Sequence, residues 1–62
     1  MNADTQELIR CLKRDMRGDL KAAEHYAYRI ACCMAATNPA MAKQYREAAR
    51  QISEELRAPE RN

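Results

Sequence analysis

Apolar residues recur every three or four positions along most of the chain, which is the spacing of one face of an α-helix. Asp4, followed three residues later by Glu7, has the pattern of a capping box at a helix start. The apolar series that comes next comprises Leu8, Ile9, Leu12 and Met16. This pattern predicts a first helix over residues 5–17.

Glycine and proline divide the rest of the chain. Gly18 suits the left-handed end of a helix, and Asp19 suits the start of the next one, which predicts a second helix over 20–36. The alternative is a two-helix hairpin with a long, bent first helix that tolerates Gly18 at about 1 kcal/mol. Asn38-Pro39 ends the second helix and opens a third over 39–57, with a polar tail at 59–62.

The second helix is apolar over more than half of its circumference. Its predicted core stripe is Leu20, Ala23, Ala27, Ile30, Ala31 and Met34. Ala22, Tyr26 and Cys33 widen this side, and Lys21, His25, Arg29 and Cys32 form the polar edge. Such a helix needs two neighbours, so the chain is predicted to be an all-α, antiparallel three-helix bundle, one domain of 62 residues, with the second helix in the middle.

The predicted core is thin because small side chains dominate it. The chain has 12 alanines and no Phe, Trp or Val, although 47% of its residues are hydrophobic. Replacing either Ile30 or Ile52 by alanine is expected to cost about 2–4 kcal/mol. Small bundles of this kind are often completed by a partner, so self-association into a dimer or larger oligomer is expected.

The charge balance neither requires nor excludes nucleic acid. Eleven Lys and Arg against nine Asp and Glu give a formal charge of +2. One face of the first helix is nevertheless basic, and a small helical RNA- or DNA-binding protein is the alternative function, because such rows can contact phosphates. The residues concerned are Arg10, Lys13, Arg14, Arg17 and Lys21.

Catalytic and metal chemistry find little support in the residue spacing. His25 lies seven positions before Cys32 on one helix, about 10 Å away, which is too far to share a zinc ion. No base lies beside a nucleophile, and a single glycine cannot make a phosphate-binding loop. We expect no enzyme activity, no metal and no cofactor, and reduced thiols at Cys11, Cys32 and Cys33 that are buried or half-buried.

The cellular location is predicted from what the sequence lacks. The longest uncharged stretch is too short and too interrupted for a bilayer, and the N-terminus has no signal-peptide pattern. A cytoplasmic protein follows as the expectation. Eight Arg against three Lys, with many alanines, are typical of a small protein from a GC-rich bacterial or phage genome.

The favoured function is a non-enzymatic interaction module or small adaptor. Small residues along the helices leave room for a shallow channel that accepts an amphipathic helix, a peptide or a second copy. Methionine suits such an adaptable surface. The residues predicted beside this channel are Tyr26, Met34, Met41 and Tyr45.

The segment from Asp15 through Gly18 and Leu20 to Ala23, with Tyr26 after it, resembles two families of helical peptide-binding domains. One is the microtubule-interacting-and-transport (MIT) domain, a three-helix module, and the other is the tetratricopeptide repeat. The usual tyrosine of the MIT pattern is replaced here by Ala27. The resemblance implies a partner helix in a groove beside the third helix, where it would contact Tyr45, Ala49 and Ile52.

Overall fold

Three α-helices make up the computed structural model, which describes residues 3–57. They are α1 (Ala3–Asp15), α2 (Leu20–Met34) and α3 (Pro39–Arg57), and this range contains no strand. All three helices pack together, which confirms the all-α three-helix bundle and corrects the alternative with a long, bent first helix. The predicted polar tail at 59–62 lies outside the described residues.

The turn between α1 and α2 is built from hydrogen bonds that end α1. The Gly18 N–H donates to the carbonyl of Lys13 at 2.8 Å, and the Arg17 N–H donates to the carbonyl of Arg14 at 3.1 Å. This pair of bonds is a Schellman motif, in which the residue after the helix cap adopts the left-handed conformation. Arg17 holds that position with φ of 55°, and Gly18 follows with φ of 82°. The chain therefore turns at the predicted glycine, although α1 ends at Asp15, two residues before the predicted position 17.

Side-chain caps start the other two helices. An Asp19 carboxylate oxygen accepts the Ala22 N–H at 3.1 Å, and the Asn38 side-chain oxygen accepts the Met41 N–H at 3.2 Å. Each bond satisfies a backbone donor that the first turn of a helix leaves without a partner. α1 instead begins at Ala3, so that Asp4 lies inside its first turn, and α2 ends two residues before the predicted position 36.

The core is small and consists largely of alanine. Ile52 is the one large side chain in residues 3–57 that is fully buried. The residues of the core cluster are Ile9, Leu12, Ala23, Ala27, Ala48, Ala49 and Ile52. Partly buried side chains pack around it, namely Leu8, Met16, Leu20, Tyr45 and Leu56.

The helix in the middle is α3 and not α2. α3 packs against both other helices, whereas α1 and α2 have the least contact with each other. The side of α2 that faces α3 carries Ala23, Ala27 and Ala31, all buried. Because alanines let helix axes approach closely, the longer side chains of Ile30 and Met34 are left half-buried beside this contact, outside the core cluster. The predicted core stripe of α2 is therefore corrected at these two positions.

Candidate functional site

An open apolar groove runs along the side of α2 that the bundle does not cover. It has a volume of about 540 Å³. We call it the α2 groove and define it by the residues that line it, which are Met16, Ala22, His25, Tyr26, Arg29, Ile30, Cys33 and Met34. Apart from Met16, which follows the end of α1, all of them belong to α2.

Helical geometry explains why α2 has two apolar sides. Successive residues are about 100° apart around a helix. Residues that recur every three or four positions from Ala22 therefore lie about 100° from those that recur in the same way from the next residue. The later series, beginning at Ala23, packs inward. The earlier one continues through Tyr26, Ile30 and Cys33, and it faces outward. From Ala22 to Met34 the groove follows the helix for about 18 Å, or roughly three turns.

The aromatic side chain in the groove is largely open to solvent. Tyr26 is 43% exposed, and it is one of two large hydrophobic side chains in residues 3–57 with this much exposure. The other is Tyr28, at 41%, which lies outside the α2 groove and borders smaller depressions. Two residues of separation on a helix place these tyrosines about 160° apart. The two rings therefore report on different surfaces.

The charged edge of the α2 groove is basic. His25 and Arg29 line it, and no carboxylate does. Within residues 3–57 Arg29 forms no ion pair. A second, smaller depression adjoins the same edge and is lined by His25, Tyr28, Arg29, Cys32 and Cys33. The guanidinium of Arg29 is thus free to bind an anion presented at either surface.

The residues predicted to contact a partner do not form one surface. Tyr26 and Met34 lie together in the α2 groove. Met41 lines a separate depression with residues of α1, and Tyr45 packs against the core cluster. Ala49 and Ile52 are both 0% exposed, so a partner helix cannot contact them beside α3 in this fold. Their burial against the other helices corrects that part of the prediction.

The predicted phosphate-binding row is partly engaged by acidic neighbours. Arg10 pairs with Glu7 at 2.7 Å, and Lys13 reaches across to Glu55 of α3 at 2.8 Å. The other three cations, Arg14, Arg17 and Lys21, are exposed and form no ion pair within residues 3–57. The row is therefore shorter than the sequence predicts.

A denser charge network lies on α3. Arg50 donates to Glu47 at 2.6 Å and to Glu54 at 2.7 Å, and the Gln51 amide donates to Glu47 at 3.0 Å. The hydrogen bond from Arg50, followed by that from Gln51, lowers the pKa of Glu47 from its ordinary 4.5 to about 2. Glu47 in turn raises the pKa of Arg50. This arginine is satisfied within the helix, in contrast to Arg29.

The cysteines are more accessible than predicted. Cys11 is half-buried, whereas Cys32 and Cys33 are exposed, and all three are free thiols. The expectation of buried or half-buried thiols is therefore corrected for the adjacent pair, because α2 turns this side away from α3. No cluster of three or more His, Cys, Asp or Glu side chains that could hold a metal occurs in residues 3–57.

The sequence reasoning missed several residues of the α2 groove. The sequence pattern places Ile30 in the core stripe of the second helix, His25 and Arg29 on its polar edge, and Met16 in the apolar series of the first helix, whereas all four line the groove. The signal that was present is the excess of apolar residues on α2 beyond what one neighbour can cover. Which side of α2 stays uncovered depends on how all three helices pack together, and the sequence pattern of α2 alone does not determine it.

Comparisons with protein-family models, curated proteins and solved structures gave no match to this chain. None of the helices in the described part of the chain combines the length and the apolar character that crossing a membrane requires.

Proposed function

We propose that this protein is a non-enzymatic interaction module that binds an amphipathic helix of another protein in the α2 groove. The observation that carries the proposal is an apolar groove three turns long that the bundle leaves open, with Tyr26, Ile30 and Met34 along it. Apolar grooves of this kind accept the apolar face of a helix, whose anchor residues recur every three or four positions.

The shape of the groove matches that type of ligand. Small Ala22 leaves room at one end, and the flexible side chains of Met16 and Met34 can adjust to different anchor residues. Tyr26 offers a rigid aromatic ring with a polar tip, a type of side chain enriched at binding hot spots. A bound helix would cover these side chains and bury the apolar surface of α2 that the small core does not cover.

A matched pair of variants tests the proposal. The probe is a fluorescent synthetic peptide of about 15 residues, roughly four helical turns, with leucines every three or four positions and glutamines elsewhere. Tyr26→Ser should weaken its binding at least about tenfold, since a hot-spot side chain is lost. Tyr28→Ser, which removes an equally exposed tyrosine from another side of α2, should leave binding unchanged in fluorescence anisotropy.

Equal effects of the two tyrosine variants, or no binding of the peptide to the unaltered protein, would contradict the proposal. Thermal unfolding of both variants provides the control for stability. Because the tyrosines are similarly exposed, their unfolding temperatures should change by similar, small amounts.

We also propose nucleic-acid binding as a second candidate function, supported by the three cations of the basic row that form no ion pair in the described part of the chain, residues 3–57. Arg14, Arg17 and Lys21 would contact phosphates, which makes binding strongly dependent on salt. Affinity for a labelled single-stranded RNA should fall steeply as salt rises from about 50 to about 200 mM. Binding that is insensitive to salt, or that survives replacement of all three residues by glutamine, would contradict this candidate.

A further inference from the structure

We infer that the helix bound in the α2 groove carries carboxylates along one edge of its apolar face, and that one of them pairs with Arg29. The inference rests on the proposed function and specifies the chemistry of the partner. Its basis is the edge of the groove, which is lined by His25 and Arg29 and by no carboxylate, and where the Arg29 guanidinium forms no ion pair within residues 3–57.

Neither the acidic residue of α2 nor the one that caps its start forms an ion pair with Arg29. Glu24 lies about 140° from Arg29 around the helix, and the carboxylate of Asp19 is engaged at the helix start by the Ala22 N–H. An arginine presents its donors in a planar fork that matches a carboxylate. A partner with Asp or Glu beside its apolar face would therefore supply the charge that this edge lacks.

The same charge argues against a second copy of this chain as the occupant. In an antiparallel symmetric pair formed through the α2 groove, the edge bearing His25 and Arg29 of one copy would face the same edge of the other. The basic edges of the two copies would then lie against each other, and like charges across an interface oppose association. The partner is therefore a different chain with an acidic edge.

Two versions of the amphipathic probe peptide test the inference. They share one apolar face, and the positions beside it are glutamate in one and lysine in the other. We expect the glutamate peptide to bind about two- to fivefold more tightly at low salt, the range of one exposed ion pair, and the preference to shrink at high salt. Arg29→Gln should remove this preference, and Arg29→Glu should reverse it.

The matched control is Arg46→Gln, which removes the same charge from an exposed residue of α3 outside the groove. It should keep the preference for the glutamate peptide. Equal binding of both peptides, or equal effects of the Arg29 and Arg46 variants, would overturn the inference. In that case Tyr26→Ser would still distinguish a groove that binds any apolar helix from a groove that binds none.

Sedimentation equilibrium tests the competing occupant. The protein alone should be monomeric at micromolar concentration, which replaces the sequence-based expectation of self-association because the basic edge of the groove opposes a symmetric pair. A dimer that Ile30→Glu dissociates would overturn the inference, since the groove would then be filled by a second copy.

Discussion

The two apolar sides of α2 have different side chains and different surroundings. The inner side, made of Ala23, Ala27 and Ala31, is buried against α3, whereas the outer side, with Tyr26 and Ile30, remains open. The smaller residues are inside and the larger ones outside, which is the reverse of what hydrophobicity alone suggests. Close approach of two helix axes requires small side chains at the contact, and larger ones are then left beside it. The outer side is accordingly available for binding.

The largest expected difference is between two isoleucines. Ile52→Ala should lower the free energy of unfolding by about 2–4 kcal/mol, because Ile52 is fully buried and the change leaves a cavity. Ile30→Ala should cost about 1 kcal/mol or less, because Ile30 is only half-buried and is not part of the core cluster. This replaces the sequence-based expectation of equal costs.

Denaturant unfolding of both isoleucine variants measures the difference. If Ile52→Ala fails to fold, Ile52→Val provides a milder change of about 0.5–1.5 kcal/mol. A cost for Ile30→Ala as large as that for Ile52→Ala would show that the outer side of α2 belongs to the core.

Replacing a small side chain by a large one also distinguishes the inner side of α2 from its outer side. Ala27→Leu should destabilise by about 1–3 kcal/mol, because a larger side chain at a fully buried position forces α2 away from α3. Ala22→Leu should stay within about 0.5 kcal/mol, since the groove has room for it. Thermal unfolding measures both, and similar losses for the two variants would contradict the close contact at Ala27.

The turn before α2 allows stability to be changed without altering either side of the helix. Arg17→Gly should stabilise by about 0.5–1 kcal/mol, because glycine adopts the left-handed conformation that arginine holds at a cost. Gly18→Ala should destabilise by about 1 kcal/mol for the same reason, with no steric clash involved. Peptide binding should be unchanged at temperatures where both variants are folded. An unfolding temperature that does not rise with Arg17→Gly would contradict the assignment.

The smallest expected effect concerns the paired arginine of α3. The lowered pKa of Glu47 means that its ionised form is favoured by folding, so its contribution is present above about pH 4.5 and is lost as pH falls towards 2. Glu47→Gln should therefore reduce stability slightly at pH 7 and should unfold at nearly the same temperature as the unaltered protein near pH 2. A difference between the two proteins that does not change with pH would contradict this contribution.

Local signals in the sequence were sufficient to predict the three helices and the turns that join them. Gly18, Asp19 and Asn38-Pro39 act on their own backbone and immediate neighbours, so the two turns and the starts of α2 and α3 follow from residue type, whereas the start of α1 predicted from Asp4 does not. The helix ends were less accurate, as at Met34, because the last turn depends on hydrogen bonds that residue type does not determine.

The candidate site was less predictable because it depends on which helix lies in the middle. Ile30 and Ala27 are both apolar and three positions apart, and only the position of α3 makes one of them buried and the other a groove residue. The alanines of α2 did indicate which side packs against another helix, since a stripe of alanines favours close packing. That Arg29 forms no ion pair within the described residues 3–57 depends on how the whole bundle packs.

The most direct test of the α2 groove uses the three isoleucines of the chain, Ile9, Ile30 and Ile52. In NMR spectra of protein labelled at isoleucine methyl groups, one signal reports on the groove and two report on the core. On addition of the glutamate peptide, the Ile30 signal should shift, and the signals of Ile9 and Ile52 should stay in place. Shifts of Ile9 and Ile52 as large as that of Ile30, or no shift at Ile30 when the peptide binds, would contradict the account.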